Sequence, residues 1–192
     1  PASNSLSTST SLAFDELSSC VTEEINLTGK SFTFDIMVNP MKTEKNMIVV
    51  GHGSTAFGLT ADRHLMAVIN GMTVKSNNIV DFNNVLHRIA YVVEQGKENI
   101  TVHFYDGDKH IGQAAIPGVY LETGNVYLGA DLLGLLGSET GFKGDMLDFR
   151  IWNRALSASD CSVYKNKALT GYEIGLLSYY RMNEGEGDYS YD

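Results

Sequence analysis

An all-β fold, an antiparallel two-sheet sandwich or barrel, is the class this sequence predicts, and three observations predict it. Apolar and polar residues alternate over several short segments, turn signals separate those segments, and helical patterning is confined to one place. The clearest alternation puts Phe32, Phe34, Ile36 and Val38 on one face and Thr33, Asp35, Met37 and Asn39 on the other. The same period of two recurs at Leu65, Ala67 and Ile69, at Ile89, Tyr91 and Val93, at Ile100, Val102 and Phe104, and at Leu147, Phe149 and Ile151. Phe32, Phe34, Ile36 and Val38 are therefore expected to share a core with Ile89, Tyr91, Val93, Ile100, Val102, Phe104, Phe149 and Ile151.

Between these segments, Asn39-Pro40, Gly51-His52-Gly53, Asn70-Gly71, Asp106-Gly107 and Gly124-Asn125 are expected to reverse the chain, and 19 glycines suit that many turns. The one helical segment opens at Ser157-Ala158-Ser159-Asp160, which has the form of a capping box, and ends before Gly171. A parallel α/β fold would need helices between most of its strands, and they are missing.

The length of 192 residues suits one domain with a sizeable core. Residues 1–10 are Ser/Thr-rich with too little apolar surface to repay their ordering, so they read as a linker ahead of a single domain over residues 11–192. Lys and Arg number 14 against 23 Asp and Glu, and the formal charge of -9 argues against a nucleic-acid backbone or an anionic membrane as partner. No run of about 18 apolar residues offers a membrane span. The opening residues lack a basic and an apolar signal region, so any export signal is expected upstream. Cys20 and Cys161, and His52, His64, His87, His103 and His110, show none of the usual zinc spacings, and no metal ligand is expected among them.

The stretch Phe142-Lys-Gly-Asp-Met-Leu-Asp-Phe-Arg-Ile-Trp-Asn-Arg-Ala-Leu-Ser157 resembles the signature F-x-G-x-[IL]-D-E-[VF]-R-[IV]-[WY]-N-x-A-L-[ST] of laminin-G-like domains in the concanavalin A-like lectin/glucanase superfamily. Ser11-Leu-Ala-Phe-Asp15, Ser31-Phe-Thr-Phe34, Leu86-His-Arg-Ile-Ala90, Asp106-Gly107 and Val126-Tyr-Leu-Gly129 follow the family's other motifs in its own order. Leu176-Leu-Ser-Tyr-Tyr180 with Asn183-Glu-Gly-Glu-Gly-Asp188 resembles the segment that usually opens such a domain, so residues 172–192 are either shared with or lead to a following repeat. The resemblance implies a jelly-roll β-sandwich with one short helix after the signature strand. It also implies a non-catalytic binding or adhesion module of a larger secreted or cell-surface protein. Its partners would be a glycan or an extracellular protein, beside neighbouring domains of the same polypeptide. A structural spacer without ligand is the alternative, and a glucanase-type hydrolase the third.

A retaining glucanase needs two carboxylates roughly 5 to 5.5 Å apart. Asp145 and Asp148 on the signature strand are expected on opposite faces by alternation, and Glu23-Glu24 and Glu184-x-Glu186 adjoin turns, so no catalytic residue is assigned. Neither a G-x-S-x-G elbow nor a P-loop is present. Trp152, the only tryptophan, is the one binding candidate, a platform on which a sugar could stack; packing against the following turn is the favoured reading. A glycan reader should carry two or three exposed aromatic rings beside polar side chains on a sheet face or loop rim.

Many relatives hold structural calcium. Here the acidic positions of the two relevant motifs are Ser19 and Leu147, which the family's antiparallel first strand would set opposite each other, so no high-affinity calcium is expected, with Asp15 left to build a weaker site. The same pairing places Cys20 near Met146 and Cys161 beyond the strand's other end, so the two cysteines are expected to stay unbridged.

Overall fold

A computed structural model describes residues 11–15, 18–130 and 141–182. The linker assigned to residues 1–10 and the acidic segment from Asn183 lie outside them. The strands are β1 (Leu12–Phe14), β2 (Cys20–Asn26), β3 (Phe32–Pro40), β4 (Met47–His52), β5 (Thr55–Leu59), β6 (His64–Ile69) and β7 (Met72–Ile79). They continue as β8 (His87–Gln95), β9 (Asn99–Asp106), β10 (Lys109–Pro117), β11 (Thr123–Leu128), β12 (Gly144–Trp152) and β13 (Leu176–Tyr180). The helix α1 spans Ala158–Tyr164.

Sheet one runs β1-β12-β3-β8-β9-β10, and β13 joins it on β12; sheet two runs β2-β11-β4-β5-β6-β7. All pairs are antiparallel. The chain crosses repeatedly between the sheets, which is the jelly-roll arrangement. β13 and β1 divide one edge of β12 between them, β13 opposite Phe149–Trp152 and β1 opposite Gly144–Met146.

The twelve residues assigned to the core by period two are all wholly buried in one cluster between the sheets. Aromatic rings fill its centre: Phe32 lies 4.7 Å from Tyr120 and Phe34 5.3 Å from Phe57, centroid to centroid. The buried hydroxyl of Tyr91 donates across the sandwich to Gly58 O at 2.7 Å, which removes the cost of an unpaired polar group there.

Turn chemistry held at some positions and failed at others. Asn70 and Gly71 take φ 51° and 72°, the paired positive values of a type I′ hairpin, and Gly107 (φ 60°) follows Asp106 at the turn between β9 and β10. Gly124-Asn125 does not turn; both residues lie inside β11, beside a bulge. Asn39-Pro40 closes β3, and Gly53-Ser54 rather than Gly51-His52 make the turn after β4.

A bulge in β12 overturns the opposite-face assignment of Asp145 and Asp148. Register shifts between Leu147 and Arg150, where Asp148 takes φ 59°. Two residues instead of one then separate inward-facing Met146 and Phe149, and Asp145 and Asp148 share the outer face.

β1 does run antiparallel to β12, but Ser19 and Cys20 are not opposite Met146 and Leu147. The chain has already crossed, and Cys20 opens β2 opposite Leu128, whereas Leu147 pairs with Met37 in sheet one. Cys20 and Cys161 are unbridged. They lie on different layers, and burial pushes the Cys161 thiol up to about 12.

Helix α1 starts as its sequence predicts. Ser157 Oγ accepts from Asp160 N, and the Asp160 carboxylate accepts from Ser157 N at 2.9 Å. Ser157→Ala is expected to cost about 1 kcal/mol in a urea melt. The Arg154 guanidinium, and then the Ser157 hydroxyl and amide, hold the Asp160 carboxyl at about 2. A folded-state value below the unfolded one means that this stabilisation is present above about pH 4 and is lost as pH falls through about 2. The cost of Asp160→Asn, measured by urea midpoints, should accordingly be larger at pH 7 than at pH 2.

Candidate functional site

Three connections meet at one end of the sandwich. They are residues 41–46 after β3, residues 60–63 between β5 and β6, and residues 80–86 between β7 and β8. Hydrogen bonds lock them together: Ala61 N donates to the side-chain Asn46 Oδ1 at 3.0 Å and Val80 N to Arg63 O at 2.9 Å, while Met41 N donates to Lys143 O at 2.8 Å and ties the first loop to the start of β12. Local chemistry shapes each piece. Asn83 and Asn84 take φ 47° and 57° in a turn closed by Val85 N donating to Phe82 O at 2.9 Å, and asparagine tolerates this left-handed region better than most residues.

Between these loops opens a cavity of about 170 Å³. Its floor is apolar, from Met47, Leu59 and Phe82, which are buried at the end of the core. Its rim is polar, from Lys42, Thr43, Thr60, Arg63, Asn83 and Asn84. No Asp or Glu is among the residues that line it. Just outside, Asp81 receives one Arg63 nitrogen at 3.2 Å, and a hydrogen bond from Thr60 lowers the Asp62 carboxyl. At roughly 30 Å³ per water, the cavity has room for about six waters, comparable to a single small polar ring.

Trp152 is not at this site. It lies on the outer face of sheet one, wholly buried beneath α1, 4.9 Å from the Tyr164 ring, and its Nε1 donates to Asp35 Oδ2 at 3.2 Å. Neither face of the indole is open, so the sugar-platform reading fails for the ring as it stands. Around it Asp35, Asp148, Arg88 and Arg150 form a buried ionic group. Arg88 reaches Asp35 at 2.5 Å and also Asp148, while Arg150 reaches Asp148 at 2.9 Å and Asp35 at 3.6 Å. Each carboxylate is thus neutralised from two sides, which leaves neither as a free acid or nucleophile. The same guanidiniums donate to the carbonyls of Tyr164, Lys165 and Lys167, at and just past the C-terminus of α1, where the helix supplies fewer donors.

Apart from the neighbouring His103 and His110, the histidines are dispersed. His52 is buried, its ring bonded to Tyr120 Oη and Ile25 O, each at 3.0 Å; burial lowers its pKa. His87 meets the Asp106 carboxylate at 3.1 Å. His103 points outward as alternation predicts, 3.4 Å from His110 and 3.3 Å from Glu94. Among the described residues no group of three His, Cys, Asp or Glu side chains converges as metal ligands would.

The two or three exposed aromatic rings expected of a glycan reader are not at the rim: its aromatic residue, Phe82, is buried. The rim residues themselves escaped sequence reasoning, because they come from three loops with no fixed spacing between them. The paired Asn83-Asn84 was the one local signal available.

The family model for the concanavalin A-like lectin/glucanases superfamily matches residues 14–162. The chain belongs to that superfamily. A search of curated protein sequences finds no significant match. Among solved structures, the chain resembles a candidate carbohydrate-binding protein of Bacteroides ovatus (TM-score 0.67, 16% identity, 89% of this chain and 50% of that one). It also resembles domain 4 of an extracellular arabinanase of Geobacillus stearothermophilus, in complex with arabinotriose (0.59, 12%, 79% and 74%). A third is the CBM40 module of a Ruminococcus gnavus sialidase, bound to α2,3 sialyllactose (0.55, 11%, 77% and 98%). The chain thus spans about half the length of the Bacteroides ovatus protein. At these identities the superfamily fold is what the likeness carries.

Proposed function

We propose that this chain is a non-catalytic carbohydrate-binding module of a larger secreted or cell-surface protein, and that it holds one sugar unit in the rim cavity. The observation that carries this reading is the cavity's construction. An apolar floor suits the C–H face of a pyranose, while amide, hydroxyl and cationic side chains on locked loops supply directional hydrogen bonds to its hydroxyls. Pre-formed loops bind with less ordering cost than mobile ones. Structural neighbours that bind arabinotriose and sialyllactose on the same fold support the carbohydrate half of the reading. The ion-paired state of Asp35 and Asp148 supports the non-catalytic half.

The test is a glycan array followed by calorimetry on the best ligand. Asn84→Gly keeps a residue that accepts positive φ but removes the amide, so affinity should fall about tenfold while the melting temperature holds. Binding that ignores this change would move the site elsewhere. No reducing sugar should be released from any bound glycan. In this reading calcium is not required, and melting should be the same with and without chelator.

A further inference from the structure

We propose that the rim cavity selects glycans that carry an anionic group, with Lys42 and Arg63 as the residues that receive it. This rests on the reading of the cavity as a sugar site and specifies its ligand class.

The charge of the cavity runs against that of the chain. The protein carries 23 acidic and 14 basic residues, yet the cavity is lined by two cations and no acid. Remote acids weigh little at this spot, because at physiological ionic strength exposed charges beyond about 8 Å are largely screened. Two acids do stand close, Asp81 against Arg63 at 3.2 Å and Asp62 in the same loop, so the unpaired positive charge of the lining rests first on Lys42 and on the part of the Arg63 fork that Asp81 leaves free.

Both cations are available to a ligand. Lys42 has no ion-pair partner among the described residues and is exposed. Arg63 gives a single nitrogen to Asp81, and that pair is 44% and 66% exposed, a setting in which an ion pair is weak and easily shared. The rest of the guanidinium fork remains free to engage a carboxylate or sulfate through two parallel hydrogen bonds, a geometry an ammonium cannot match. Positioning is fixed by hydrogen bonds to the loop backbones. Arg63 sits at φ 68°, with its N–H bonded to Thr60 O and its carbonyl to Val80 N, each at 2.9 Å, and the loop that carries Lys42 is pinned at Met41 N and Asn46 Oδ1. Asn83 and Asn84 add amide donors and acceptors suited to the hydroxyls of the same ring.

Carboxylated and sulfated sugars share this chemistry, and the experiment separates them. Calorimetric titrations would use lactose, trigalacturonate, sialyllactose and sulfated lactose, each against the unmodified protein, Lys42→Gln, Arg63→Gln and Lys97→Gln. Lys97→Gln makes the same change in net charge at an exposed position outside the cavity. A charged probe should bind at least tenfold more tightly than lactose. That preference should fall about tenfold in Lys42→Gln and in Arg63→Gln, stay in Lys97→Gln, and weaken as salt rises. Tighter binding of the two carboxylated probes than of the sulfated one would assign the anion as a carboxylate, and the reverse order as a sulfate. Lactose bound as tightly as the charged probes, with sensitivity to Asn84→Gly, would overturn the anion inference and leave the sugar site standing. A charged preference equal in Lys42→Gln, Arg63→Gln and the unmodified protein would also overturn it. No binding across these probes and a broad glycan array would overturn the sugar reading itself.

Discussion

Asp35→Ala should destabilise the domain by about 3–5 kcal/mol, measured by urea unfolding at neutral pH. Asp35 is 3% exposed in the middle of β3, where it meets Arg88, Arg150 and the indole N–H of Trp152. Removing its carboxylate leaves two buried guanidiniums facing one remaining acid, Asp148, so an uncompensated positive charge stays inside. That is costly because the medium there solvates charge poorly. The effect should spread to α1. The two arginines that Asp35 holds in place are the donors for the carbonyls of Tyr164, Lys165 and Lys167 at the end of that helix. Trp152 is the only tryptophan, so its emission reports on this layer alone and should shift to the red in the variant before global unfolding. A loss below about 1 kcal/mol, with unchanged emission, would show that the ionic group is hydrated and that α1 docks without it.

How much of this was legible follows from where large apolar side chains recur at every second residue. In β3, β8 and β9 they do, and period two identified their core residues, although the outer face of β3 and β8 is itself buried at Thr33, Asp35, Ala90 and Val92. β4 and β5 are buried on nearly every residue, Met47–Val50 and Thr55–Leu59, so no alternation was there to read. β7 failed for the opposite reason: it is an edge strand, exposed at most positions, and its sequence Met-Thr-Val-Lys-Ser-Asn-Asn-Ile carries little apolar signal. The bulge at Leu147-Asp148 reversed a face assignment because period-two counting has no way to register an inserted residue. The placement of Trp152 off the core face survived this, since the bulge lies upstream of Phe149. For the candidate site, sequence could say what chemistry was missing, but not that Lys42, Arg63 and Asn84 meet. Loops converge through tertiary structure, and chain spacing carries no record of that.

Gly144→Ala should be as damaging as the loss of Asp35, through backbone geometry and with no charge involved. Gly144 is the glycine of the F-x-G motif that opens the signature strand, and it has φ 139°, a conformation that residues with a side chain rarely adopt. A Cβ placed there would lie 2.2 Å from Asn39 O and 2.9 Å from Pro40 Cα, both backbone atoms of the neighbouring strand β3. Backbone cannot step aside as a flexible side chain can, so β3 and β12 would have to part at the pair formed by Gly144 and Pro40. Strained φ of this kind costs about 1–3 kcal/mol, and forcing atoms into a packed contact a further 1–3 kcal/mol, giving a loss of about 2–6 kcal/mol. Gly71→Ala is the control. Its φ is also positive, at 72°, but nothing lies within 4 Å of the added carbon, so strain alone should appear, about 1 kcal/mol. The rim cavity gives a second readout. Pro40 and Met41 line it, and Met41 N is held by Lys143 O next to Gly144, so displacement of β3 at this point should loosen that wall of the site. Gly144→Ala should therefore weaken glycan binding even where the domain remains folded, whereas Gly71→Ala should leave it unchanged. Equal losses of stability in the two variants would show that β3 yields to the added methyl group and that the glycine is there for its φ alone.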